Sequence, residues 1–221
     1  METGVIIAAG GIGKRFGNDL PKQFIKINEL TILEITLQKF QESEFINSIV
    51  LVSHIDYLSE AKKIGHSYTK VKSIISGGEH RQDSVWRGIQ ELAKYNVDII
   101  LIHDAVRPYI KTDLINQVIK ATQEFDAAVP AVPTIDTIKL SDNEGFLLKT
   151  LDRTQLFAVQ TPQGFKKDLI TQAYEKAMNE NFYSTDDASL VERLGKKIKL
   201  VCGDYRNIKI TTINDIREIK S

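Results

Sequence analysis

The sequence predicts an α/β fold, a mostly parallel, doubly wound sheet with helices on both faces. Short strands that are apolar at every position alternate with amphipathic helical stretches along most of the 221 residues. That alternation is the pattern of βαβ units whose strands are covered on both sides. Glycine-bearing or polar loops follow several of these strands, at the edge where such sheets hold ligands.

The elements follow in order. Val5 to Ala9 is a buried strand that runs into Gly10-Gly11-Ile12-Gly13, a glycine-rich turn. Thr31 to Gln41 reads as a helix opened by a Thr31/Glu34 capping box, with Leu33, Leu37 and Phe40 on one face. Ile49 to Val52 is a strand, Asp56 to Ile64 a helix stopped by Gly65, and Val71 to Ile75 a strand. Asp83 to Lys94 is a helix carrying Val85, Ile89 and Leu92, and Ile99 to Ile102 is another apolar strand. Thr112 to Phe125 repeats the helical period, and Ala127 to Val132 returns to strand. Thr134 to Arg153 breaks the pattern: Ile138 and Leu140 alternate with polar residues, Asp142-Asn143-Glu144-Gly145 offers a turn, and Phe146 to Leu151 resumes strand character. This is an inserted β-hairpin arm, and because a lone hairpin is marginal in water it must pack on something, a second copy being one candidate. Helices at Lys167 to Met178 and Thr185 to Leu194, strands at Lys197 to Cys202 and Ile208 to Thr211, and a final helix complete one domain over residues 1–221.

Composition narrows the function classes. Lysine plus arginine and aspartate plus glutamate each number 29, so no cationic excess exists to attract a nucleic-acid polymer or an anionic membrane. One cysteine, Cys202, excludes an internal disulfide and a cysteine-rich zinc site and fits a reducing compartment. The N-terminal residues read as a strand and no stretch reaches the ~20 apolar residues of a membrane span. The expectation is a soluble, cytoplasmic protein.

Three loops carry candidate chemistry. Ala8-Ala9-Gly10-Gly11-Ile12-Gly13-Lys14-Arg15, followed by Pro21-Lys22-Gln23, fits neither common nucleotide motif: a Walker A loop would need glycine at Ala8 and a hydroxyl at Arg15, and a dinucleotide fingerprint would need glycine at Phe16. What remains is a glycine loop that an anion can approach closely, with cations at Lys14, Arg15 and Lys22 suited to a triphosphate; the plainer reading is a tight turn with solvated lysines. His103-Asp104-Ala105-Val106-Arg107-Pro108 follows a strand, where Asp104 can hold Mg²⁺ and Arg107 can grip a phosphate, or where Asp104 simply caps a helix. The spacing of the four histidines fits no metal site, so His103 reads as packed or hydrogen-bonded. Gly77-Gly78-Glu79-His80-Arg81-Gln82-Asp83-Ser84 permits close backbone approach to a base or ribose, or serves as a helix cap.

Together with Asp136-Thr137-Ile138-Lys139, Asp152-Arg153, Gln160-Thr161-Pro162-Gln163, Thr185-Asp186-Asp187 and Asn207-Ile208-Lys209, these segments resemble the cytidylyltransferases that make 4-diphosphocytidyl-2-C-methyl-D-erythritol in the non-mevalonate isoprenoid pathway. Glu79, Val106 and Thr154 to Phe157 depart from the residues more usual there. The resemblance implies a Rossmann-like nucleotidyltransferase fold and a homodimer that exchanges hairpin arms. It implies that Ala8, Ala9, Gly10, Gly11, Gly13, Lys14, Gly78, Glu79 and Ser84 bind CTP, that Arg15, Lys22, Arg153 and Lys209 are catalytic, and that Asp104 holds Mg²⁺. Asp104, Arg107, Thr137, Arg153, Thr161, Thr185 and Lys209 fall where the family binds or orients the methylerythritol phosphate, with Thr137 and Arg153 coming from the partner subunit. A sister family that activates ribitol 5-phosphate shares the first loop and the Asp104 motif, so ribitol 5-phosphate is the alternative acceptor. From another class, the chain could be a nucleotide-binding regulatory module, which would have no use for Lys22, Asp104 and Arg153 together.

Overall fold

A computed structural model describes residues 1–11, 20–212 and 214–216. Runs such as Val5-Ile6-Ile7 and Ile99-Ile100-Leu101-Ile102 are apolar at every position, so each strand must be covered on both faces. They are: these residues are fully buried at the centre of the sheet. The strands are β1 (Thr3–Ala9), β2 (Lys26–Ile27), β3 (Leu30–Thr31), β4 (Ser48–Ser53), β5 (Val71–Ser76), β6 (Ile99–Asp104), β7 (Ala127–Pro133), β8 (Lys139–Ser141), β9 (Leu147–Thr150), β10 (Phe157–Val159), β11 (Gln163–Lys166) and β12 (Lys199–Cys202). The helices are α1 (Ile32–Glu42), α2 (Leu58–Gly65), α3 (Arg81–Leu92), α4 (Thr112–Phe125), α5 (Lys167–Asn179) and α6 (Ala188–Glu192).

In the main sheet β5, β4, β1 and β6 are parallel neighbours. Beyond them β11 runs antiparallel between β6 and β7, β10 continues antiparallel along β7, and β12 pairs parallel with β7. The mixed, mostly parallel sheet is the one expected. Alternate side chains of each strand enter two cores. Val5, Ile7, Leu51 and Leu101 pack with Leu33, Leu37 and Phe40 of α1 and Ile115 and Ile119 of α4. Ile6, Val50, Ile100 and Ile102 pack with Val85 and Ile89 of α3 and Tyr174 of α5. Burying each such aliphatic or phenyl side chain stabilises the fold by about 1.5–3 kcal/mol, and Phe40→Ala would cost about 3–5 kcal/mol by opening the first core. Gly88 lets α3 lie directly on β1, since a Cβ there would sit 2.7 Å from Ile6 Cγ2.

Several boundaries follow the expected local chemistry. The α1 capping box is present, with the Thr31 N–H donating to Glu34 Oε2 (2.7 Å) and the Glu34 N–H to Thr31 Oγ1 (3.2 Å). The hairpin β8–β9 forms, its turn held by Asp142 Oδ1, which accepts from the Glu144 and Phe146 N–H groups, and by Gly145 at φ +90°. Two expectations are corrected. Ile208 to Thr211 is no strand: the Ile210 N–H donates to Val106 O (2.9 Å) without a ladder forming, and the segment buries Ile210 while Lys209 and Thr211 face a cavity. The helix expected from Thr185 begins only at Ala188, where Gln163 Oε1 accepts from the Ala188 N–H (2.9 Å) and Asp186 Oδ1 from the Ser189 N–H (3.1 Å), while the Asp187 carboxylate is turned to Arg81 and Tyr174. Among the described residues no helix is long and apolar enough to cross a membrane.

Candidate active site

The carboxyl ends of β1, β4 and β6 share one rim. β11 runs the other way, so its beginning reaches the same rim: Gln163 pairs with Ile102, and just before it Thr161 Oγ1 accepts from the Asp104 N–H (3.1 Å). A cavity of about 720 Å³ opens on this rim. Its walls are Ala8 and Ala9 at the end of β1 with Gly10 and Gly11 beyond it, His54 after β4, Gly78 to Arg81 with Ser84, and Asp104 at the end of β6 with Val106 beyond it; Lys22, Gln23, Lys209 and Thr211 close it.

The glycine loop is shaped from below. The buried Gln23 amide donates to Ala9 O (2.7 Å) and Gly11 O (3.0 Å), and Ala8 O accepts from the Ala105 N–H (3.1 Å). With three carbonyls turned into the protein, the loop offers an anion little opposing negative charge. Gly13, Lys14 and Arg15 lie outside the described residues. Lys22 Nζ reaches the cavity wall and donates to Ile210 O (2.8 Å), which ties the glycine-loop side to the C-terminal segment.

Asp104 is the electrostatic centre. Its carboxylate is buried yet meets three cations: Arg81 Nε at 3.1 Å, Lys209 Nζ at 2.9 Å and Arg107 Nε at 3.6 Å. Burial alone would raise its pKa, but Arg81, Lys209 and Arg107 hold it well below the usual carboxylate range. Behind it His103 is wholly buried, within hydrogen-bond reach of Arg107 O (3.3 Å) and Thr161 Oγ1 (3.0 Å), and burial pushes its pKa down to about 3. A packed, hydrogen-bonded ring is what its sequence context indicated.

The Gly77 to Ser84 segment folds tightly over the start of α3. Ser84 Oγ accepts from the Gly78 N–H (3.1 Å) and donates to His80 O (3.1 Å), and Asp83 Oδ2 accepts from the His80 N–H (2.9 Å). A Cβ at Gly77 would stand 2.5 Å from Ser84 Oγ, which is why glycine is needed there. The helix-cap reading holds with the N-cap at His80 and Asp83 three residues into the capping box, and Gly78, Glu79 and Ser84 line the cavity.

A family model described as IspD, 2-C-methyl-D-erythritol 4-phosphate cytidylyltransferase, matches residues 3–220. The chain belongs to this family. Relatives of that name include the protein of Clostridium perfringens strain 13, 44% identical over 214 residues, 96% of this chain and 94% of the relative. That of Syntrophus aciditrophicus is 41% identical over 214 residues, 96% and 91% of the two chains. Among solved structures, the 4-diphosphocytidyl-2C-methyl-D-erythritol synthase of Anaerococcus prevotii superposes with a TM-score of 0.87 at 33% identity, covering 98% of this chain and 93% of that one. The 2-C-methyl-D-erythritol 4-phosphate cytidylyltransferase of Thermus thermophilus gives 0.81 at 30% identity, covering 99% and 96%.

In this cytidylyltransferase family member the remaining expected site residues divide by location. Thr185 lies in an adjoining cavity of about 240 Å³, whose wall also includes His80 and Arg81 of the larger one. Thr161 is buried beneath Asp104 with its hydroxyl engaged, and Arg107 donates to Asn207 O (2.8 Å) while facing Asp104. Neither is among the residues lining the two cavities. Thr137 is exposed on the arm, and exposed Arg153 at its base donates to Ile135 O (3.0 Å), so both stand apart from the cavity of their own chain. Sequence reasoning passed over Gln23, Arg81, Tyr174 and Asp187. Only Gln23 and Arg81 had a usable signal, each being a polar residue beside a glycine loop.

Proposed function

We propose that the protein transfers CMP from CTP to 2-C-methyl-D-erythritol 4-phosphate and releases pyrophosphate, within isoprenoid precursor synthesis. The observation that carries the reading is one cavity lined by the glycine loop, Lys22, Asp104 and Lys209 together. The acceptor phosphate is already an anionic nucleophile near neutral pH, so the reaction needs no serine, cysteine or general base. It needs two anions held in line. In this reading the Ala8 to Lys14 loop takes the CTP phosphates, and Gly78, Glu79 and Ser84 take the base and ribose. Lys22, Lys209 and Arg15 offset the repulsion and stabilise charge on the α-phosphoryl group as pyrophosphate leaves. Arg107 and Thr161 support Asp104 from behind, and Thr185 lies on the acceptor side.

Mg²⁺ fits the donor set. Asp104 offers a hard carboxylate oxygen on the cavity wall, and Mg²⁺ is typically held by one or two carboxylates with substrate phosphates and water. Among the described residues no group of three His, Cys, Asp or Glu could hold a metal by itself, so the phosphates would supply the other oxygens. When bound, Mg²⁺ would neutralise phosphate charge.

The proposal includes a cytoplasmic homodimer. The arm exposes Leu140 by 50%, Phe146 by 66%, Leu147 by 68% and Leu148 by 61%, four large apolar side chains on a two-stranded hairpin that is marginal by itself. Covering it with a second copy would also carry Thr137 and Arg153 to the partner's cavity. The deciding assay offers 2-C-methyl-D-erythritol 4-phosphate and ribitol 5-phosphate separately with CTP and Mg²⁺ and records pyrophosphate. Release with the methylerythritol compound is expected. Preference for ribitol 5-phosphate would move the protein to the sister activity, and tight CTP binding without release for either would make it a nucleotide-binding module.

A further inference from the structure

We propose that Arg81 is a positioning residue that orients the Asp104 carboxylate and locks the Ser184 to Asp187 loop to the first turn of α3, so that the two cavities keep one fixed geometry. The proposal rests on the transferase reading above. Arg81 lines both cavities. Its Nε donates to Asp104 Oδ1 (3.1 Å), and Nη1 and Nη2 form a forked pair with Asp187 Oδ1 (3.0 Å) and Oδ2 (2.8 Å). Only a guanidinium can serve two carboxylates in this way; an ammonium has no fixed fork.

The orientation originates in the core. Tyr174, fully buried on α5, donates its hydroxyl proton to Asp187 Oδ1, so Asp187 is held rigidly and in turn holds Arg81. Burial opposes the charge on Arg81, yet Asp187 and Asp104 keep its pKa above the ordinary value. The next residue ties the same loop again: Gln82 Nε2 donates to Phe182 O (2.8 Å) and Gln82 Oε1 accepts from the Ser184 N–H (2.9 Å). Asp83 adds a third tie, accepting from the Tyr183 hydroxyl (3.0 Å). Three consecutive residues of the α3 first turn therefore fix the loop that carries Thr185. Arg81 alone extends that fixation to Asp104.

Kinetics of Arg81→Lys, Asp187→Asn, Asp104→Asn and the double variant Arg81→Lys/Asp104→Asn test this. Arg81→Lys is expected to lower kcat by ~30–100-fold, the scale of a misplaced reacting group, with KM for CTP changed less than about threefold. Asp187→Asn should follow it in direction. Because Arg81 acts through Asp104, the double variant should be no more than about threefold worse than Asp104→Asn alone. Independent, multiplying losses, or an Arg81→Lys kcat within about threefold of the parent, would overturn the proposal. If Arg81→Lys is not recovered folded, Asp187→Asn and its double with Asp104→Asn carry the same test. Amide hydrogen exchange of residues 182–187 in nucleotide-free protein needs no turnover. Faster exchange in the Arg81 or Asp187 variant supports the lock and unchanged exchange refutes it, even where the parent releases no pyrophosphate and the transferase reading itself fails.

Discussion

The rim around Asp104 and the arm from residue 134 to 153 are built on opposite terms. At the rim, polar side chains are buried and shared: Arg81 serves two carboxylates, Asp104 faces three cations, and Gln23 turns two carbonyls inward. On the arm, both strands are exposed, and Arg153 donates to a single carbonyl of the same arm. The contrast separates two ways of making a binding site. Charges held by one chain's own core are preorganised before any ligand arrives, whereas the arm's exposed residues would gain further neighbours only in the proposed dimer. The proposed nucleotide half is of the first kind and the proposed acceptor half partly of the second.

Breaking the rim should have the largest effect. Lys22→Ala should lower kcat by ~10²–10³-fold, the usual cost of removing one donor to developing charge, while the melting temperature changes little; turnover within a few-fold of the parent would exclude Lys22 from the chemistry. Next, in the proposed dimer, placing charge on the arm with Phe146→Asp and Leu147→Asp should halve the mass seen by analytical ultracentrifugation and reduce turnover by more than ~10-fold, while CTP affinity in calorimetry is kept. A dimer that persists would mean that another surface joins the subunits. Arg153→Ala, which leaves the arm's apolar face intact, should raise KM for the acceptor by ~10-fold, about the value of a charge-assisted contact. An unchanged KM would remove Arg153 from the acceptor site.

The smallest expected effect is a pH slope. The folded His103 ring stays neutral to about pH 3 because it is buried, whereas an unfolded histidine takes a proton below pH 6.5. The unfolded state therefore gains protons as the pH falls, so this contribution is complete above pH 6.5 and is lost below it at about 1.4 kcal/mol per pH unit. Urea unfolding at pH 7 and pH 5 should show that difference, and His103→Gln should flatten it. An equal slope in both proteins would mean that the ring is not kept neutral.

The alternation of apolar strands and amphipathic helices made the sheet and both covering layers readable in the sequence, and the Thr31/Glu34 pair located the start of α1 to the residue. Reading failed where a segment's partners lie far along the chain. Ile208 to Thr211 has strand composition, but Val106 and the cavity decide its conformation. β11 was missed because Gln163-Gly164-Phe165-Lys166 has no strand pattern of its own and gains order from β6 and β7. In the site, the motifs located Lys22, Asp104, Ser84 and Lys209 on the cavity. Asp187 read as part of the helix expected from Thr185, because nothing near it announces Arg81 and Tyr174.

Those distant partners have a consequence for synthesis. Lys22 meets Ile210 across 188 positions, Arg81 meets Asp187 across 106, and Arg107 meets Asn207 across 100. The first half of the chain contains β1, β4, β5 and β6, which pair with one another. The pocket that those strands point toward takes two of its walls, Lys209 and Thr211, from more than a hundred residues beyond β6, so a chain that has reached only β6, or one clipped before Lys209, lacks that side of the site.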